Sequence, residues 1–128
     1  MQFQVIAAVA LGGAIGAVSR YLAVGQVAHW LNHDFPYGTL TVNVLGSFLM
    51  GVIVELSALV WSPSPELRAF LTVGFLGAFT TFSTFSLETV LLYERGNLLL
   101  CGLYVVTSVV LSVGAFFAAI YLLRATLV

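Results

Sequence analysis

Nine charged side chains are scattered along 128 residues, and the distances between them decide the fold class. They stand at Arg20, Asp34, Glu55, Glu66, Arg68, Glu88, Glu94, Arg95 and Arg124, and lysine is absent. The apolar runs between them are long enough for helices of about 20 residues, the length that crosses a hydrocarbon core. Charged residues make up 7% of the chain, against roughly a quarter in soluble domains, and hydrophobic residues 61%. This composition excludes a soluble domain and predicts an all-α, multi-pass membrane protein.

Punctuation predicts one transmembrane domain over 1–128 with four spans. The first runs from about Phe3 to Trp30 and carries Arg20 in its second half. "NHDFPYG" follows as a turn cluster, and the second span covers about Gly38 to Trp61, where "SPSP" ends it. The third starts near Glu66 and stops at "ERGN", whose charges and Gly96 form a C-terminal signal after Glu94. The fourth covers about Leu98 to Leu123. "MQFQ" lacks the basic region of a cleaved signal, so the first apolar run is expected to be retained. Connections this short leave the function to lie within the bilayer.

The basic residues say little about which way the chain inserts. One side holds Arg68 and Arg124, the other Arg95 with Arg20 if it reaches that interface. Orientation follows an excess of Lys and Arg on the cytoplasmic side, and here the excess is near zero. A chain that inserts both ways, and is small for enclosing a path alone, predicts an antiparallel, dual-topology homodimer. A parallel dimer oriented by other factors is the alternative.

Catalysis finds no support. His29 and His33 flank a connection without a partner set for a nucleophile and base, and the lone Cys101 excludes an intrachain disulfide. An enzyme is not expected, nor is a nucleic-acid partner.

Several polar residues nevertheless sit inside the spans. Arg20 ends "LGGAIGAVSRY", in which Gly12 and Gly16 permit close helix packing. A cation there costs roughly 2.5 to 3.5 kcal/mol on insertion scales unless it snorkels or faces water, so it either snorkels or marks the mouth of an anion path. In "GTLTVNVLGSFLMG", Asn43 and Ser47 share a helix face and serve either as interhelical glue or as donors lining an ion path. Glu55 is expected at the interface. Tyr104, Ser108 and Ser112 recur at intervals of four in the last span and form a ladder of hydroxyls, although a serine can also bond its own backbone.

The most unusual stretch is "GAFTTFSTFS", residues 77–86. Phe79, Phe82 and Phe85 fall within about 120° of one another on an ideal helix, while Thr80, Thr81, Ser83, Thr84 and Ser86 cover the rest. No lipid-facing helix has such a surface. Gly74 and Gly77 weaken the helix, and hydroxyls can rescue backbone groups freed by a break. A helix broken at mid-membrane exposes carbonyl ends to a cation and N–H ends to an anion. Phenylalanine edges are positive and suit an anion as well.

"GGAIGAVSRY", "GTLTVNVLGSF" and "GFLGAFTTFSTFS" together resemble the small bacterial fluoride channels of the Fluc (CrcB) family, and the likeness covers essentially the whole chain. The resemblance implies a dual-topology homodimer in the bacterial inner membrane, two antiparallel pores, a broken third span and a structural sodium ion on the two-fold axis. By motif position it implies that main-chain carbonyls of Gly77 and Thr80 hold the sodium. Phe82 and Phe85 then line the fluoride path edge-on, with Asn43 orienting or donating nearby and Thr81, Ser83 and Thr84 in the ion site. Tyr104, Ser108 and Ser112 continue the polar track, and Arg20 stands at the vestibule. The function so implied is passive fluoride conduction that lowers cytoplasmic fluoride. The rival class is a small dual-topology multidrug exporter. Such exporters resemble one another in a carboxylate midway along the first span, and this first span has no acid.

Overall fold

The computed structural model describes residues 2–128 and is helical throughout its long elements. Four segments are long and apolar enough to cross a membrane: Gln2–Trp30, Tyr37–Leu59, Pro65–Glu94 and Leu98–Leu127. Three of them are continuous helices: α1 (Gln2–Trp30), α2 (Tyr37–Leu59) and, last in the chain, α6 (Leu98–Leu127). The third is assembled from α3 (Pro65–Ala69), a π-helical stretch Phe70–Leu76, α4 (Gly77–Phe79) and α5 (Phe82–Glu94).

The helix ends follow from local chemistry. Pro65 occupies the first turn of α3, where its missing N–H is not needed, and Ser64 Oγ accepts from Leu67 N at 3.1 Å. At the other end Gly96 adopts φ 78°, a left-handed conformation that favours glycine, and Asn97 N closes back on Leu92 O at 3.1 Å. Asn97 then turns to cap α6, accepting from Leu100 N. Two spans therefore meet across only Arg95–Asn97, which forces α5 and α6 to run antiparallel as neighbours.

Packing divides into two close pairs. α1 lies against the π-helical stretch, and α2 against α6. The first pair is nearly backbone on backbone. A Cβ on Gly12 would run into Phe70 O and one on Gly16 into Phe75 O, while a Cβ on Gly74 would stand 2.8 Å from Val9 O. Small residues drive association where solvent supplies no hydrophobic force between helices, and the small-xxx-small pair of α1 is used in this way. The second pair touches at Gly51, whose added Cβ would lie 2.8 Å from Phe116 O. Val42, Leu76, Phe79, Leu92, Tyr104 and Ala119 form the buried apolar core.

The third span is interrupted, but not where the glycines alone point. Gly77 begins a regular α turn, and Gly74 lies inside the π-helical stretch. The helix breaks at Thr80 and Thr81, which are extended with φ/ψ of −89/159° and −153/120°. Residues 82–86 are helical again. Glu55 lies four residues before the end of α2 and is 5% exposed. It accepts from Arg124 Nε at 2.8 Å, because a carboxylate this deep is tolerable only with a partner.

Candidate functional site

The break is held open by three side chains that each take over a backbone group. Asn43 of α2 bonds Thr81 twice, its Nδ2 donating to Thr81 O at 3.1 Å and its Oδ1 accepting from Thr81 N at 2.7 Å. Arg20 of α1 donates from Nε to Ala78 O at 2.9 Å. Thr81 caps α5 itself, its Oγ1 accepting from Thr84 N at 3.2 Å. A freed backbone group in an apolar medium costs several kcal/mol if it stays unpaired, so these three side chains make an interrupted span affordable.

Arg20 is thereby tied to the third span. Its guanidinium lies on the carbonyl end of α4, where the helix dipole is negative and favours a cation. The rest of the side chain lines a cavity of about 650 Å³ together with Thr39, Thr84 and Glu88.

Those same bonds release two specific carbonyls. In an unbroken helix Thr81 N would donate to Gly77 O, and Thr84 N to Thr80 O. Both donors are diverted, to Asn43 and to Thr81 Oγ1. Gly77 is exposed and Thr80 half-buried. On the other side of the break, the first turn of α5 presents the N–H groups of Phe82 and Ser83, which have no intrahelical acceptor. One interruption thus offers acceptors in one direction and donors in the other.

Beside the break lies a cavity of about 270 Å³ walled by Asn43, Ser47, Thr81, Phe82, Phe85, Ser108 and Ser112. Phe82 and Phe85 are tilted at 51° with centroids 5.4 Å apart. Phe82 is 77% exposed, an unusual state for a phenylalanine beside so many hydroxyls, whereas Phe85 is half-buried. The hydroxyls of Ser108 and Ser112 are buried without a hydrogen-bond partner. Elsewhere the rule is different: Thr41, Ser57, Thr72, Thr89 and Thr126 all donate to a carbonyl four residues back. On this wall Ser108 and Ser112 keep buried donors free.

Tyr104 stands apart from the two serines below it. Completely buried, it donates from Oη to Glu88 Oε1 at 2.9 Å and does not line the 270 Å³ cavity. Ser83 is exposed, with its Oγ 3.4 Å from Thr81 Oγ1. Thr84 turns away from Thr81's cavity into the one shared with Arg20. The structure therefore gathers Asn43, Thr81, Phe82, Phe85, Ser108 and Ser112 on one wall, and groups Arg20, Thr84 and Glu88 on another.

Sequence reading gave Thr39 no role, yet it is 1% exposed, its hydroxyl has no hydrogen-bond partner, and it lines two cavities with Glu88. The signal was present. Thr39, Asn43 and Ser47 recur at intervals of four on α2, matching Tyr104, Ser108 and Ser112 on α6, the helix it packs against. The Glu55–Arg124 pair had no such signal, because 69 residues separate its members.

Residues 7–120 match the family model described as "CrcB-like protein, Camphor Resistance (CrcB)". The chain belongs to the CrcB family. A relative from Rhodospirillum centenum named "Fluoride-specific ion channel FluC" is 55% identical over 121 residues, which are 94% of this chain and 96% of the relative. A second, from Nitrobacter winogradskyi and bearing the same name, is 49% identical over 124 residues, 97% of this chain and 98% of the relative. A third from Agrobacterium fabrum, again of that name, is 51% identical over 119 residues, 93% and 95% of the two chains. The break, the polar wall and the packing glycines of α1 in this CrcB-family chain all fall within the matched residues, so the chain is a multi-pass membrane protein of an ion-channel family rather than an enzyme.

Proposed function

We propose that this chain conducts fluoride passively through the bacterial inner membrane, by way of the wall formed by Thr81, Phe82, Phe85, Ser108 and Ser112. The observation that carries it is the pair of buried serine hydroxyls without partners beside a broken helix. A bare ion in a low-dielectric medium costs tens of kcal/mol, so a small anion must exchange its waters for donors. The two serines, the first N–H groups of α5 and the positive edges of the two rings supply them. None is a fixed positive charge, which keeps binding weak enough for release. Asn43, occupied twice by Thr81, orients the path more than it donates to it.

The functional unit is a homodimer of oppositely inserted copies enclosing two antiparallel paths. Phe82 and Gly77, exposed on the single chain, are the groups a second copy would cover. The charges support dual insertion. Arg68 and Arg124 lie toward one side and Arg95 with Arg20 toward the other, so neither side carries an excess of basic residues.

The carbonyls of Gly77 and Thr80 fit a structural sodium ion, since both have lost their helical donors and hard oxygen ligands suit such a cation. Bound there, sodium would neutralise the carbonyl ends of two α4 helices and tie the copies together. Thermal stability that rises with sodium and not with an organic cation of equal concentration tests the assignment.

The decisive measurement is efflux from liposomes holding the purified protein. Fluoride is expected to leave while chloride is retained, with no proton-driven uptake of a drug cation. Vesicles that keep their fluoride overturn the proposal. A multidrug exporter is disfavoured because α1 contains no carboxylate.

A further inference from the structure

The connection between α1 and α2 does more than turn the chain. Pro36 has φ/ψ of −80/67°, and Tyr37 N donates to Phe35 O at 2.8 Å. That combination is an inverse γ-turn, whose central φ is the value a proline ring already imposes. It fixes Phe35 within a row of rings. Phe35 meets Tyr37 at 4.9 Å and Tyr104 edge-to-face at 5.4 Å and 84°. Tyr104 in turn contacts Phe85 at 5.1 Å, and Phe85 contacts Phe82 at 5.4 Å. An unbroken aromatic row therefore joins the connection to the rings beside the broken helix.

Tyr104 is the hinge of this row. Its hydroxyl is tied to Glu88, and its buried ring lies against two other rings. Phe85 and Phe35 are those two neighbours. Phe35 also lines, with Thr39 and Glu88, the cavity of about 220 Å³ under the connection.

We propose that Phe35 is a positioning residue for conduction: its ring holds Tyr104 against Phe85, and so fixes both the Tyr104–Glu88 bond and the orientation of Phe85 on the polar wall. This rests on the reading of that wall as the fluoride path. The row is contiguous, so disorder introduced at Phe35 reaches Phe85 through one ring.

The test combines flux with a label that does not depend on it. 3-Fluorotyrosine incorporated at position 104 is expected to give one narrow ¹⁹F resonance in the intact dimer. Phe35→Ala should broaden or split it, and Phe35→Tyr, which keeps the ring, should restore it. In liposomes Phe35→Ala should slow fluoride efflux about fivefold, the scale of one lost edge-to-face pair, with Phe35→Tyr near the parent rate and dimer size unchanged. In a Tyr104→Ala background, which removes the ring that Phe35 packs on, the same substitution should change the rate by less than about twofold, since the two residues act in series. An unchanged resonance in Phe35→Ala, or a rate loss that adds fully to that of Tyr104→Ala, overturns the proposal. Should the parent protein release no fluoride, the conduction reading fails, while the resonance still decides what Phe35 does.

Discussion

Asn43 and Thr81 satisfy each other twice, side-chain amide against main-chain peptide, at 3.1 and 2.7 Å. This pairing resembles one rung of a sheet ladder inserted between two helices. It is the reason Thr81 can be extended in the middle of a span. Asn43→Asp keeps an acceptor for Thr81 N and loses the donor to Thr81 O, setting a carboxylate against a carbonyl. It is expected to destabilise the protein by about 1 to 3 kcal/mol, read as a lower midpoint in thermal unfolding, and to stop fluoride efflux. Asn43→Gln, which keeps both groups on a longer arm, should lose less.

Gly16 and Gly25 lie on the same helix in opposite circumstances. A methyl group at Gly16 would be driven into the carbonyl of Phe75, and backbone on the facing element cannot yield cheaply; at Gly25 nothing lies within 4 Å. Gly16→Ala should therefore cost several kcal/mol or abolish folded protein on size-exclusion chromatography. Gly25→Ala should be neutral or stabilise by up to about 1 kcal/mol, the helix-propensity difference between the two residues.

The Glu55–Arg124 pair is lopsided, with side chains 6% and 64% exposed. Removing the arginine strands a buried carboxylate, whereas removing the carboxylate frees an arginine that already reaches solvent or headgroups. Arg124→Ala is expected to lower stability by about 2 kcal/mol, discounted for the exposure of the arginine. Glu55→Gln should lower it by less than half as much. Equal losses in the two unfolding curves would mean that packing, and not charge, holds these helix ends together.

Ser108 and Ser112 hold buried donors with no partner. Replacing either by alanine removes an unsatisfied group, so the unfolding midpoint should stay level or rise by the equivalent of about 1 kcal/mol. Fluoride efflux should fall severalfold in the same variants. Stability lost together with flux would mark the hydroxyls as packing elements instead.

Two lysines added beside Arg68 should force one orientation, and two beside Arg95 the other, since these arginines stand at opposite ends of the third span. Each variant alone is expected to be silent in the efflux assay and the two together active. Activity from one variant alone would show that a parallel arrangement suffices.

The spacing of charges made four spans legible, because the hydrocarbon core admits only long apolar helices and forces charge to its edges. Hydroxyls in "TTFSTFS" likewise announced a break, since a lipid-facing helix has no use for five of them. The position of that break was not legible. Glycines weaken a helix locally, but which peptide opens depends on which donors wait across the groove, and Asn43 and Arg20 reach Thr81 and Ala78 from 38 and 58 residues away. The same limit hid the burial of Glu55, the partner of Tyr104 and the ring stack at Phe35. Composition and periodicity are properties of a segment and can be read along the chain. Pairings are decided by how the helices lean on one another, which α1 and the π-helical stretch settle through glycine contacts that exist only once the helices meet.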